Sequence, residues 1–231
     1  MIHVQNLHKQ YNGTTVLQID DLQIKAGETI GLVGNNGAGK TTLFSCILDL
    51  IQPSSGQILL KDIPVHTSEE WKTFTSSFID ETFIIGYLTA EEYFNFIGEL
   101  RGWNKQQVQE FLVDYHEFFN GEILGTKKFL RDLSKGNMKK AGIVGALIGN
   151  PELIILDEPF ANLDPTTVNR LKRIVTKLSQ DNSRTILISS HDLSHTVEVC
   201  DRIVALNKGL VVKDEAANSN TLVELEAFFA V

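Results

Sequence analysis

The chain has too few cysteines to staple itself: two, Cys46 and Cys200, in 231 residues. A disulfide framework is excluded, and no leader-like apolar segment opens the sequence. The expectation is a reducing, cytoplasmic setting. No run approaches the roughly 18 apolar residues of a spanning helix. Any membrane association is therefore expected to come through a partner. Positive charge is also short: 21 Lys and Arg against 29 Asp and Glu leave a net charge of −8. That disfavours a broad nucleic-acid surface. Internal repeats, sustained heptads and low-complexity tracts are lacking as well. What is present is ordinary: the apolar set is 42% and charged residues are 22%. A mainly disordered chain is excluded, and the length suits one large domain or a core with a smaller lobe.

Apolar runs alternate with helical periods. A first strand region spans residues 2–33, with an Asn12-Gly13 turn inside it. Thr29–Val33 reads as a buried strand, and a glycine-rich turn leads to a helix near 40–50. Pro53–Gly56 reads as a turn and Gln57–Leu60 as a short strand. Thr89 with Glu92 forms a capping box. Val108, Phe111, Leu112 and Tyr115 share one helical face. Ser134 caps a helix running to about Gly149, and Leu153–Leu156 is an aliphatic strand. Asp164-Pro165 opens a helix carrying Val168, Leu171, Val175 and Leu178 at helical spacing. Thr185–Ser189 is a strand. Ile203–Leu206, Asn207–Gly209 and Leu210–Lys213 form a hairpin, and Thr221 with Glu224 caps a last helix. Strands alternating with helices predict an α/β fold with a largely parallel sheet. Residues 82–150 read as a helical lobe inserted between two halves of the core, 1–81 and 151–231.

The strongest chemical signal is Gly34-Asn35-Asn36-Gly37-Ala38-Gly39-Lys40-Thr41, which fits G-x-x-x-x-G-K-[ST] between a strand and a helix. Glycines let backbone N–H groups converge on phosphate oxygens, and the helix start adds its positive end. Lys40 is expected to reach the β- and γ-phosphates and Thr41 to bind Mg²⁺. The second signal is the aliphatic strand ending in Asp157-Glu158. Beyond the carboxyl end of a parallel strand, Asp157 is placed for the metal shell and Glu158 to polarise a water. A strand ending in two acids is ordinarily just a solvated turn. The phosphate loop gives this one its chemistry.

With these residues in view, the sequence resembles the ATP-binding subunits of ABC transporters over essentially its whole length. Leu133-Ser134-Lys135-Gly136-Asn137 lies about twenty residues before the acidic strand end, where that family carries its Leu-Ser-Gly-Gly-Gln signature. Phe160–Asp164 occupies the place of the loop ending in Leu-Asp. His191 follows a strand as the family's switch histidine does. Tyr11 sits where an aromatic stacks on adenine. Alone, Ser134 reads as an N-cap, Tyr11 as a packed surface aromatic and His191 as a turn residue. Their common order and spacing carry the resemblance.

The resemblance implies a P-loop NTPase core with an N-terminal antiparallel β region. It implies an ATPase with ATP and Mg²⁺ as cofactors, held by Tyr11, residues 34–41 and Thr42, with Thr41, Asp157 and Asp80 at the metal. Lys40, Glu158 and His191 would be catalytic. Two copies, or this chain and a homologous partner, would meet head to tail, with Ser134 and Gly136 of one facing the γ-phosphate of the other. A membrane permease would be the partner, on the cytoplasmic face of the membrane, and would select the substrate. Nucleic acid is not expected. The alternative is a soluble ABC-type ATPase acting on ribosomes or DNA, which the net charge disfavours. A non-catalytic nucleotide-binding regulator is disfavoured by Glu158.

Three departures from the family pattern stand out. Asp80 replaces a glutamine at the start of the helical lobe; it keeps an oxygen for the metal's water shell, adds negative charge and tilts the reading toward export. Lys135 replaces a glycine, at a cost in backbone freedom or with a gain of a phosphate contact; Asn137 replaces glutamine. Phe160 replaces a small polar residue. The aromatic-rich stretch Phe83, Ile84, Ile85, Tyr87, Tyr93, Phe94, Phe96 and Trp103 is expected to divide between the lobe's core and a permease-binding surface.

Overall fold

The Asn12-Gly13 turn closes the first hairpin. Asn12 (φ 50°) and Gly13 (φ 80°) both take the left-handed region a tight two-residue turn needs. Strand β1 (Ile2–Tyr11) therefore returns as β2 (Thr14–Ile24), with Ile2 opposite Ile24 and Tyr11 opposite Thr14. This computed structural model describes residues 1–180 and 182–229, so Asp181, Ala230 and Val231, inside the expected core segment 151–231, lie outside the described residues.

Strand β3 (Thr29–Val33) and helix α1 (Lys40–Ile47) follow. Strands β4 (Ser55–Leu60) and β5 (Ile63–Pro64) then complete a four-stranded antiparallel sheet, ordered β2-β1-β4-β5. The expected turn at 53–56 is shorter than read, because β4 begins at Ser55. Gly56 (φ +84°) sits where a Cβ would fall 2.2 Å from the Asn6 carbonyl oxygen, beside a register shift between Gln5 and His8.

The second sheet places β3 at its centre. With β6 (Thr75–Phe78), β7 (Leu153–Leu156), β8 (Thr185–Ser190), β9 (Arg202–Asn207) and β10 (Leu210–Ala216) its order is β10-β9-β3-β8-β7-β6. All neighbours pair in parallel except β9 and β10, which Lys208 (φ 49°) and Gly209 (φ 83°) join as a tight hairpin. The fold is α/β with a largely parallel sheet, as the alternation of strands and helices predicted, and it carries the N-terminal antiparallel region that the resemblance implied.

Side chains alternate across β7. Leu153 and Ile155 face one core with Phe44, Ile47 and the antiparallel sheet; Ile154 and Leu156 face a second core with Phe94, Leu112, Phe118 and Leu171. Both faces are covered, which is why the strand reads as unbroken aliphatics. The second core joins the segment 82–150 to the sheet. That segment holds α2 (Ala90–Leu100), α3 (Lys105–Val113), α4 (His116–Phe119) and α5 (Lys135–Gly145). Helices α6 (Pro165–Ser179), α7 (Leu193–Val199) and α8 (Thr221–Phe229) complete the chain.

Several local expectations need correction. Helix α5 ends at Gly145, short of Gly149, because Gly149 (φ +87°) and Asn150 (φ 50°) turn the chain into Pro151. Tyr115 is buried but caps α4 rather than lying on α3. Thr221 and Glu224 form no capping box. Thr221 is the first helical residue, its hydroxyl accepts from the Asn218 amide at 3.0 Å, and Glu224 pairs with Lys213. Among the described residues, no helix is long and apolar enough to cross a membrane.

Candidate functional site

The site begins where β3 ends. Gly34 (φ +153°) could carry no side chain, since a Cβ would lie 2.3 Å from the Leu206 carbonyl oxygen. Gly39 (φ +109°) lets the loop turn into α1 without a side-chain cap, and no acidic residue stands in the first helical turn. The helix start keeps unpaired N–H groups and positive dipole for an anion. Lys40, 6% exposed, folds back under the loop; its ammonium donates to the Gly34 carbonyl at 2.7 Å and to that of Asn35 at 3.5 Å. The same ammonium stands 3.4 Å from Glu158 Oε1.

The parallel pairing of β7 and β8 brings the second half of the site to this loop. Leu156 pairs with Ile188, so Asp157 and Ser189 follow side by side. Asp157, 5% exposed, accepts from the Thr41 hydroxyl at 2.6 Å through Oδ2, and from the Ser189 hydroxyl through Oδ1. Burial pushes its carboxyl above the ordinary range, and those two hydroxyls pull it back only in part. Thr41 and Asp157 are thus an oxygen pair suited to a hard divalent cation.

Glu158 is a non-glycine residue in the left-handed region (φ 46°), a conformation costing about 1 kcal/mol. Oε2 accepts from His191 Nδ1 at 2.8 Å and from the His191 amide at 3.3 Å, while Oε1 faces Lys40.

One groove of about 380 Å³ is lined by Asn36, Thr41, Asp80, Asp157, Glu158 and His191 together with Lys135, Gly136, Lys139 and Asn162. Asp80 is exposed in this groove, and its Oδ1 accepts from the Thr82 amide at 2.8 Å. The Thr82 hydrogen bonds hold its carboxyl below the ordinary range. Tyr11 and Ser134 are not among the lining residues. Tyr11 is exposed at the end of β1 with the Lys9 ammonium 4.8 Å above its ring. Ser134 serves as a cap: its hydroxyl accepts from the Asn137 amide at 3.2 Å. Of the remaining loop residues, Asn35 and Gly37 are exposed, Ala38 is buried and Thr42 is half-buried.

Lys135 opens α5 with ordinary helical backbone, so the feared conformational cost is not incurred. Phe160 is buried against the edge of His195, ring centroids 5.9 Å apart. The aromatic-rich stretch divides: Tyr93, Phe94 and Ile84 are buried, whereas Phe83, Ile85, Tyr87 and Phe96 are exposed. A second groove of about 370 Å³ opens beside Leu50, Trp71, Phe83, Ile84 and Tyr93.

Two residues of the site escaped the sequence reading. Ser189 bonds Asp157 and accepts from the Glu158 amide at 2.9 Å. Lys139 is 6% exposed, and its ammonium donates to the carbonyls of Glu158 and Ala161, each at 3.0 Å. A lysine inside an otherwise buried helical turn (residues 139–145 are all buried) was the signal available for it.

Comparison with known proteins agrees with this geometry. Residues 17–161 match the family described as ABC transporter. The chain is 34% identical over 222 residues to the bacitracin transport ATP-binding protein BcrA of Enterococcus faecalis, covering 93% of this chain and 68% of that protein. It superposes on a solved ATP-binding subunit of an ABC transporter with a TM-score of 0.84 and 26% identity, over 100% of this chain and 95% of the other. At 22% identity, a dimeric post-hydrolysis ATP-binding cassette, MJ0796, bound to ADP and phosphate, shares the fold with a TM-score of 0.84, over 95% of this chain and 100% of the other. By its phosphate loop, its paired acids and this kinship, the chain belongs to the ABC transporter family as one of its ATP-binding, ATP-hydrolysing subunits.

Proposed function

We propose that the chain grips MgATP between residues 34–42 and the end of β7, hydrolyses it as half of a head-to-tail pair, and so drives a membrane permease. The single observation that carries this is the placement of Glu158: one carboxylate touches both Lys40 and His191 beside the Thr41–Asp157 pair.

In this reading Lys40 exchanges its carbonyl and Glu158 contacts for the β- and γ-phosphates, and the loop amides hold the phosphate oxygens. Thr41 and Asp157 would hold Mg²⁺, with Asp80 at its water shell. When bound, the ion neutralises charge that builds on the phosphate oxygens. Glu158, freed from Lys40, takes the proton of the attacking water. His191 holds Glu158 in position and faces the γ-phosphate. Tyr11 stacks on adenine from the edge of the antiparallel sheet. The turn at Ser134 and Gly136 closes on the γ-phosphate of a second copy or a homologous partner; the exposure of Ser134 and the place of Gly136 in the groove lining support that role.

The exposed Phe83, Tyr87 and Phe96 are the proposed permease contact, on the cytoplasmic face of the membrane. Tyr87→Ala and Phe83→Ala are expected to abolish transport and spare ATP binding. The decisive test of the site is Glu158→Gln. Mg²⁺-dependent turnover should fall about 100- to 10,000-fold, and ATP should convert the variant to a stable dimer on size exclusion. Full turnover in that variant would refute Glu158 as the base. The ribosome- or DNA-acting alternative gains nothing from the structure or the relatives, and the net charge of −8 opposes it.

A further inference from the structure

The backbone of Glu158 needs an external grip. Left-handed backbone at a non-glycine residue persists only where its surroundings over-determine it. The Glu158 amide is held by the Ser189 hydroxyl at 2.9 Å. Its carbonyl is held by the Lys139 ammonium at 3.0 Å, and that ammonium also holds the Ala161 carbonyl at 3.0 Å. Ala161 in turn donates its amide to the Glu158 carbonyl at 3.2 Å. The turn from Glu158 to Ala161, just after β7, is therefore tied at both of its ends to one nitrogen. Glu81 Oε1 stands 3.8 Å from that nitrogen, so the segment after Asp80 meets it as well.

Three pieces of the site converge on Lys139: the second turn of α5, the residue after Asp80, and the peptide that aims Glu158. Resting on the catalytic role given to Glu158 above, we propose that Lys139 is a positioning residue for hydrolysis. It fixes the left-handed peptide of Glu158 and couples it to the helix that Ser134 caps. A lysine kept in a buried turn merely for packing would leave its ammonium unpartnered or paired to a surface acid. Lys140 is that contrasting case: it is equally buried, at 5%, and its ammonium reaches outward to Glu122 at 3.3 Å.

The test compares Lys139→Met, Lys139→Arg and Lys140→Met with the parent chain. Four quantities are measured: ATP affinity by calorimetry, steady-state kcat and KM, melting temperature, and amide hydrogen exchange. Lys139→Met should bind ATP within about twofold of the parent. Its kcat should fall about 10- to 100-fold with KM little changed, as misplacement of a catalytic group predicts. Exchange at the Ala161 amide should accelerate about tenfold while β7 amides hold. Lys139→Arg, which keeps the donors, should restore most of both. Lys140→Met should lower the melting temperature without slowing turnover. Parental kcat in Lys139→Met, no rescue by Arg, or equal slowing by Lys140→Met would each overturn the proposal. Should Lys139→Met fail to fold, Lys139→Gln is read by the same criteria. If the parent chain itself hydrolyses no ATP, the catalytic reading fails, and hydrogen exchange still decides whether Lys139 holds the loop.

Discussion

Glu158 and Asp157 are neighbours in sequence with opposite surroundings. Asp157 is buried among hydroxyls; Glu158 is twisted out toward Lys40 and His191. The two acids were legible as a pair after an aliphatic strand. Separate roles were expected for them from their order; the left-handed backbone of Glu158, which no residue type announces, is what the structure adds. Ser189 was read only as strand, since its partner is set by a pairing across 32 positions. The cysteines make the residue scale testable. Burial pushes the Cys46 thiol up to about 11 and the Cys200 thiol higher still. Only thiolate alkylates, so the folded chain should resist iodoacetamide at pH 8, with both thiols reacting in guanidinium. Labelling of either in the native chain would contradict its buried placement.

At the level of elements, caps written in the sequence mostly form. Thr89 and Glu92 bond each other's amides at the start of α2, at 3.3 and 2.8 Å. Thr89→Ala should cost about 1 kcal/mol in chemical denaturation. Asp164 accepts from the Thr167 amide at 3.0 Å and the Thr167 hydroxyl at 2.5 Å. These bonds lower its carboxyl below the ordinary value. A lowered folded value means that its stabilisation is present above the unfolded value and lost as pH falls through the folded one. The melting-temperature gap between parent and Asp164→Ala should be steady from about pH 7 to 5 and close as pH falls below about 4, the ordinary carboxylate value. A gap unchanged at low pH would show that the cap does not depend on the charge. The box expected at Thr221 fails for one tertiary and one local reason: Lys213 on β10 takes Glu224, and the Asn218 amide donates to the threonine hydroxyl.

Across the whole molecule, the six-stranded sheet divides two apolar cores. The helical segment 82–150 shares its core with the sheet: Phe94, Leu112 and Phe118 belong with Ile154, Ile186 and Leu171. Folding of that segment is therefore coupled to the sheet. Phe94→Ala and Leu171→Ala should cost about 3–5 and 2–5 kcal/mol and shift one common calorimetric transition. A separate low-temperature transition in Phe94→Ala alone would mean that the helical segment melts by itself. The exposed Phe83, Tyr87 and Phe96 lie on this same segment, so a partner bound there would meet a segment that shares its apolar core with β7.

The sequence by itself determined the phosphate loop, most strands and helices though not β5 or β6, most caps and the likeness to the family. These depend on neighbours a few positions apart, where backbone periodicity and side-chain chemistry are local. Tertiary structure decided which of two adjacent acids faces Lys40, which serine and which lysine hold them, and which aromatics stay exposed. Those outcomes depend on parallel register and on two cores closing over both faces of one sheet, contacts between residues that the chain separates by tens of positions.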